Sequence, residues 1–178
     1  MGDFSNGLPV IELKNEILFV SNPQETAEPH IRVFNLSGKT DYEINQVSET
    51  IMPSGATIKS VGFGSCLKAN DSGTMLFAGH PAHYALMDWQ IDQYTLGSAE
   101  LQLGAVFVFK KHTNWQYSET LYPEVSDYET RSVASEMDLQ FGYSIDYRNQ
   151  NLFVSAPRAF AVTSQRREGE VYNYLYNS

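Results

Sequence analysis

The chain has 178 residues, of which 12 are Lys or Arg and 21 are Asp or Glu, and its formal net charge is −9 at pH 7. So acidic a chain is poorly suited to a nucleic-acid backbone or an anionic membrane, and we expect neither as its main partner. The single cysteine, Cys66, excludes an internal disulfide, and no apolar run approaches the ~20 residues of a membrane span. The sequence predicts no signal peptide, because no basic stretch followed by an apolar one is visible near residue 1.

The first predicted unit spans residues 7–60. Its predicted strands lie at residues 8–13, 17–21, 30–34 and 42–47, and a polar, irregular connection follows them. Apolar and β-branched residues alternate in these segments between turn-forming residues, which is typical of short strands. The second strand belongs to the heptapeptide Ile-Leu-Phe-Val-Ser-Asn-Pro, and Pro23 ends it because proline lacks the backbone N–H that a sheet interior requires.

The second predicted unit spans residues 61–139. Its predicted strands lie at residues 64–68, 74–79, 105–110 and 115–121, with Trp115 and Leu121 as inward-facing anchors. The second strand again belongs to a heptapeptide with a central Phe and a final Pro, Met-Leu-Phe-Ala-Gly-His-Pro. We predict a long loop from Pro81 to about Leu103, and an acidic connection after the last strand.

The third predicted unit spans residues 140–178. Its predicted strands lie at residues 142–147, 151–156 and 169–174, with a loop over 157–168, and its heptapeptide is Asn-Leu-Phe-Val-Ser-Ala-Pro. A fourth strand is missing, so the last strand, which includes Val171 and Tyr174, is predicted to be an exposed apolar edge. Such an edge invites pairing with another strand, and we expect other protein chains to complete the ring or to cover this strand.

The three units carry the same landmarks in the same order. The pairs Phe63-Gly64 and Phe141-Gly142 precede two of the Phe–Pro heptapeptides, and a Gly-x-Val strand follows each of these after a loop. This order resembles the FG-GAP repeat of integrin-α-type β-propellers, although Gly7-Leu8 stands where the first unit should have Phe-Gly. The resemblance implies an all-β fold of antiparallel, propeller-like repeats with three blades, of which the third is incomplete.

Three blades do not close a ring by themselves, because propellers have about 4–8 blades. The chain is therefore part of a larger propeller, or a subunit whose ring or edge other chains complete, or three units that curl into an irregular barrel or sandwich. The sequence leaves these three architectures open.

Motifs for metals, cofactors and catalysis are weak. The resembling family binds calcium between the first two strands of a blade, where carboxylates are needed at alternate positions, but Lys68, Asn70 and Ser72 occupy those positions in the second unit. His80 and His83 are of the right type for zinc or iron but lack a regular ligand spacing, and we expect His83 to lie in solvent. No nucleotide-binding loop or nucleophile elbow appears. We expect no metal, no cofactor and no catalytic residue.

The candidate binding residues lie in the loops between the second and third strands, which form the ligand-binding face in the resembling family. The second unit's loop carries side chains that interface centres favour, namely Tyr84, Met87, Trp89 and Tyr94. The third unit's loop adds a basic patch of Arg158, Arg166 and Arg167. The alternatives are a small satellite core for the aromatic residues and a solvated loop tip for the arginines.

Together these patterns predict a non-catalytic interaction or assembly module. We expect it in a virion, as a phage-tail or capsid-associated component, or in an adhesion assembly at an extracellular surface, where a surface receptor or a glycan is a further expected partner. The alternative is an enzyme that acts on glycans or phosphate esters with its site on the loop face. That alternative requires two or more carboxylates within about 10 Å of each other at that face.

Overall fold

The structure is a computed structural model, and it describes residues 8–24, 29–39, 47–53, 61–91, 94–123, 138–161 and 166–176. Within these ranges the chain forms 15 strands and no helix, so the predicted all-β fold is confirmed. Accordingly, the described ranges contain no helix long and apolar enough to cross a membrane.

The first sheet is a four-stranded antiparallel meander. It consists of β1 (Val10–Lys14), β2 (Ile17–Ser21), β3 (Ile31–Asn35) and β4 (Glu49–Ile51), in that order. A two-residue turn joins β1 to β2, and both of its residues, Asn15 and Glu16, have positive φ, as the tightest hairpin turns require.

The predicted fourth strand, residues 42–47, lies outside the described residues except for Val47, which is not in a strand. The prediction that the connection after it is irregular is wrong, because β4 occupies residues 49–51 of that connection. The physical reason is a distant pairing, because Ile51 aligns with Ile31 and both side chains are buried on the same face. This pairing cannot be read from the local sequence.

The second sheet has another antiparallel meander at its centre. Its members are β5 (Cys66–Ala69), β6 (Met75–His80), the carboxyl-terminal part of β8 (Tyr94–Lys111) and β9 (Trp115–Leu121). The predicted bounds of β9 are confirmed. Trp115 is buried against the first sheet, whereas Leu121 is half-buried and packs toward the third.

The predicted long loop of the second unit is wrong. Residues 84–91 form β7 (Tyr84–Ile91), which pairs with the amino-terminal part of β8 in an antiparallel hairpin. Aromatic residues favour strands as strongly as they favour interfaces, so the composition of this segment fits both interpretations. The hairpin lengthens β8 to 18 residues, well beyond the usual strand.

One pairing in the second sheet is parallel. β10 (Asp138–Phe141) lies beside β8 at Gln102 and Gly104, where β8 passes from its pairing with β7 to its pairing with β6. A Cβ on Gly104 would collide with the backbone of Phe141, so only glycine permits this close approach. Phe141, predicted to open the third unit, is therefore the end of a strand of the second sheet.

The third sheet has three described strands. They are β11 (Ile145–Arg148), β12 (Asn151–Ala156) and β15 (Glu170–Leu175), in that order. The short strands β13 (Phe160–Ala161) and β14 (Arg166–Arg167) pair with each other inside the segment that we predicted to be a loop. Among the described strands the third sheet has three strands, as predicted, and β15 is its edge.

The three sheets pack face to face. β5 contacts both β1 and β11, while β4 contacts β9 at the opposite side of the first two sheets. Two apolar clusters fill the spaces between the sheets, and the second sheet contributes to both. This arrangement is compatible with neighbouring propeller blades, and the described residues do not close a ring.

The central Phe of each of the first two heptapeptides points toward the following sheet. Phe19 of the first sheet meets Trp115 edge to face at 5.1 Å between ring centroids. Phe77 of the second sheet stacks on Tyr147 of the third at 5.5 Å. Phe153 occupies the same position in the third sheet and is 39% exposed. The packing direction is therefore the same at both internal junctions.

Small residues allow the sheets to approach each other closely. Ser21 Oγ donates a hydrogen bond of 2.6 Å to the Gly64 carbonyl, and a Cβ on Gly64 would lie 2.6 Å from Ser21 Cβ. At the next junction a Cβ on Gly79 would collide with the Gly142 carbonyl oxygen. The small residue of each of the first two heptapeptides thus meets the glycine of the following Phe-Gly pair, which explains why both landmarks repeat.

We predict that Gly79→Ala destabilises the fold by about 1–3 kcal/mol, because the new methyl group must push the second and third sheets apart. Gly79 has no positive φ, so the loss would measure the packing alone. Urea unfolding at equilibrium measures the free-energy change. Ser155→Ala is the matched control, since Ser155 holds the same position in a sheet that no described sheet follows, and it should cost less than about 1 kcal/mol. Equal losses in both variants would contradict this account of the junction.

Candidate functional site

The structure places the predicted aromatic binding residues on the β7–β8 hairpin. Tyr84 begins β7, is exposed, and its hydroxyl donates to Gln102 Oε1 at 3.2 Å across the hairpin. Met87 and Trp89 pair through the backbone with residues 99 and 97, and Tyr94 begins β8. The side chains of these last three residues lie outside what the structure describes. The residues therefore share one hairpin, and their role in binding stays a prediction.

The predicted basic patch is divided by an ion pair. Arg158 contacts Asp138, the first residue of β10, and its backbone N–H donates to the Leu139 carbonyl at 3.3 Å. Arg158 therefore fastens the connection after β12 to the second sheet. Arg166 and Arg167 form β14, and their side chains lie outside the described part of the chain.

His83 is buried, so the prediction that it lies in solvent is wrong. Its ring packs edge to face on Phe107 at 5.3 Å between centroids, and its Nε2 lies 3.4 Å from the Tyr122 hydroxyl. His80 is also buried, with its ring centroid 5.2 Å from that of His83. Within the described ranges, no group of three or more His, Cys, Asp or Glu is arranged to hold a metal ion. Burial lowers the pKa of His83, since the charged ring would lose its hydration.

An ion pair joins the first strands of the second and third sheets. Lys68 Nζ lies 3.0 Å from Asp146 Oδ1, which places both charges beside the turns where the resembling family binds calcium. The hydrogen bond raises the pKa of Lys68 and lowers the pKa of Asp146. Both groups are substantially exposed, so we expect the pair to orient the two strands more than to stabilise them.

The sequence predicted only part of a prominent surface, the outer face of the third sheet. This third-sheet outer face consists of Phe153, Ser155, Val171, Asn173 and Leu175, which align across β12 and β15. Val171 is 69% exposed and Leu175 is 71% exposed. The predicted exposed edge is thus confirmed at Val171. Tyr174, predicted to share it, is half-buried on the opposite face, where its hydroxyl donates to the Tyr122 carbonyl at 3.1 Å.

A second apolar surface lies at the other end of the stack. This first-sheet outer face consists of the charged Arg32 and five apolar residues that align across β1, β2 and β3, namely Ile11, Leu13, Leu18, Val20 and Phe34. Ile11 and Leu13 are each 59% exposed, and the other three apolar residues are half-buried. The continuous apolar run of β2 was the available signal, because such runs are typical of strands covered on both faces.

Arranged in this way, the molecule offers two apolar sheet faces for docking. Exposed apolar area of this kind marks interaction surfaces more often than catalytic sites. A comparison with models of known protein families and with curated proteins finds no match for this chain. The candidate site is therefore argued from the chain's own residues.

We predict that acidification destabilises the fold through His83. Its pKa is lower in the folded chain than in the unfolded chain, so below about pH 6.5 the unfolded state takes up a proton that the folded state does not. Stability should therefore fall as the pH drops from 6.5 toward the folded-state pKa. Thermal unfolding midpoints measured across this range test the effect.

The control is His83→Phe, which keeps a ring between Phe107 and Tyr122 but cannot titrate. Its unfolding midpoint should depend less on pH than that of the unmodified chain over the same range. Identical pH dependence in the two proteins would show that His83 does not carry the effect.

Proposed function

We propose that this chain is a non-catalytic assembly module, a propeller-like segment whose outer sheet face another protein chain covers. Its setting is a larger body, either a virion structure such as a phage tail or capsid, or an adhesion assembly at an extracellular surface. The observation that supports the proposal is the third-sheet outer face. Phe153 and Val171 are exposed there, whereas the residues at the same positions of the first two sheets are buried, namely Phe19, Ile31, Phe77 and Val106.

The apolar side chains of that face favour docking of a partner. Fully burying a Val, Leu or Phe side chain contributes on the order of 1.5–3 kcal/mol, so three such residues provide a substantial driving force for docking. The edge of β15 adds backbone N–H and C=O groups that can pair with a partner strand. An acidic chain with a net charge of −9 stays soluble until a fitting partner is present.

The resemblance to FG-GAP repeats supports the same proposal. The glycine of each Phe-Gly pair and the small residue of the preceding heptapeptide are the two landmarks that define the resemblance, and they meet where one sheet packs on the next. Ser155 is the small residue of the third unit. Its carbonyl accepts a hydrogen bond of 3.1 Å from the Gly142 N–H of its own unit, and no Phe-Gly pair of a following sheet packs against it in the described chain. A protein that supplies the next sheet is the partner that this position fits.

Site-specific photocrosslinking tests the proposal in the cells or particles that contain the native chain. We expect Val171→p-benzoylphenylalanine to give a covalent adduct with another polypeptide on irradiation, because Val171 lies at the centre of the surface to be covered. Met52→p-benzoylphenylalanine is the control, since Met52 is exposed and lines a cavity between the first sheet and β9. The absence of an adduct at Val171, or equal adducts at both positions, would overturn the proposal.

A further inference from the structure

We propose that the covering chain is a second copy of this one, and that two copies form a closed ring of six sheets. In this ring the third-sheet outer face of each copy packs on the first-sheet outer face of the other. The inference rests on the proposed function, because it names the partner for the same surface.

The first step is the direction of packing inside the chain. Phe19 and Phe77 face the following sheet, whereas Leu76 and Leu152, which come directly before the central Phe of β6 and β12, face the preceding one. All four side chains are fully buried. Every internal junction therefore joins the Phe side of one sheet to the Leu side of the next, and such a junction is heterologous, with two different surfaces in contact.

The second step is the equivalence of the first-sheet outer face with a face whose partner is known. Strand registers align β1 with β5, β2 with β6, and β3 with β8. The aligned residues are Ile11 with Leu67, Leu13 with Ala69, Leu18 with Leu76, Val20 with Ala78, and Phe34 with Phe109. In the second sheet all five are buried against the first sheet. The first-sheet outer face therefore has the residues that pack on a preceding sheet, but no preceding sheet covers it in the described chain.

The third step is the corresponding equivalence of the third-sheet outer face. Phe153 aligns with Phe19 and Phe77, and both of these rings are fully covered by the following sheet. Ser155 aligns with Ser21 and Gly79, which are buried, whereas Ser155 is half-buried. The third-sheet outer face therefore has the central Phe that packs on a following sheet, but no following sheet covers it in the described chain.

These two faces are the complementary halves of one kind of junction, and a single chain carries both. Two copies can satisfy both faces at once, because the junction from the first copy to the second is repeated from the second to the first. The resulting ring has six sheets, within the range of about 4–8 that propellers adopt, whereas three copies would give nine. Two copies are therefore the stoichiometry that the sheet count favours.

The junction between copies differs from the internal ones at three positions and in its charge. Arg32 stands on the first-sheet outer face where the buried Phe107 stands in the second sheet. Asn173 stands on the third-sheet outer face where Val33 and Val108 are buried.

Leu8 aligns with Gly64 and Gly142, and a side chain at that position would collide with Ser155 if the internal geometry were copied unchanged. We therefore expect Leu8, which is exposed, to lie beside Ser155, and the contact to depend on the apolar strand residues. The charge of −9 on each copy opposes association, so added salt should strengthen it by screening.

Sedimentation velocity of the purified chain over a wide concentration range tests the inference. We expect a concentration-dependent species of twice the 20.1 kDa chain mass, and a larger fraction of it at moderate salt than at low salt. Ile11→Glu and Val171→Glu should each raise the dissociation constant on the order of tenfold or more, because each buries an unpaired charge in one of the two faces. Met52→Glu, the matched control in the cavity between the first sheet and β9, should leave association unchanged.

A mixing experiment distinguishes this arrangement from any other dimer. Each Glu variant keeps the face that the other has lost, so an equal mixture of Ile11→Glu and Val171→Glu should form a heterodimer through one intact junction. Each variant alone should stay monomeric, and far-UV circular dichroism checks that both remain folded. The mixed heterodimer should be weaker than the unmodified dimer, since it cannot close the ring.

Three outcomes would overturn the inference: a monomer at every concentration, dimers that persist in both Glu variants, or a mixture that does not associate. The proposed function fails separately, because its own test is an adduct at Val171 in the native setting. A photocrosslinked adduct with a different protein, together with a monomeric purified chain, would retain the assembly role and remove the second copy as the partner.

Discussion

The small residue of a heptapeptide lies against the backbone of the Phe-Gly pair of the following sheet. The packing of the three sheets depends on this close contact. It exists at Ser21 with Gly64 and at Gly79 with Gly142. Larger side chains there would hold the sheets apart and would separate the apolar surfaces that pack around the contact. The repeated small residues therefore set how closely the sheets pack, and the Phe and Leu residues of the heptapeptides fill the space that remains.

The same contact gives the stack a direction. Because the small residue and the central Phe of a heptapeptide both face the following sheet, each unit has one side for its predecessor and a different side for its successor. A stack of such units ends in two unlike surfaces, and here both are apolar and partly exposed. The proposed role in assembly follows from this polarity, since docking on either end repeats a mode of packing that the chain already uses twice.

Local sequence patterns predicted the strands whose determinants are local. The bounds of β2, β9 and β12 match their predictions, because each is an apolar or aromatic run between clear turn or proline signals. The predictions were wrong where distant pairing decides the structure. β4 is a strand because Ile51 meets Ile31, and β10 is one because Gly104 lets Phe141 approach β8.

The candidate site was predictable only in part for a related reason. The alternation of Val171, Tyr172, Asn173, Tyr174 and Leu175 indicates a strand with two different faces, but it does not say which face a neighbouring sheet covers. Only the folded structure shows that the tyrosines face Phe141 and that the aliphatic residues do not. The hairpin residues had the composition of an interface, and that composition serves strand pairing equally well.

The directional stack is tested most directly by hydroxyl-radical footprinting of the three heptapeptide phenylalanines, at a dilution where the chain sediments as single molecules. Phe19 and Phe77 are fully buried, and Phe153 is 39% exposed. The account predicts that Phe153 is oxidised much faster than the other two. Similar oxidation rates for all three rings, or faster oxidation of Phe77, would contradict it.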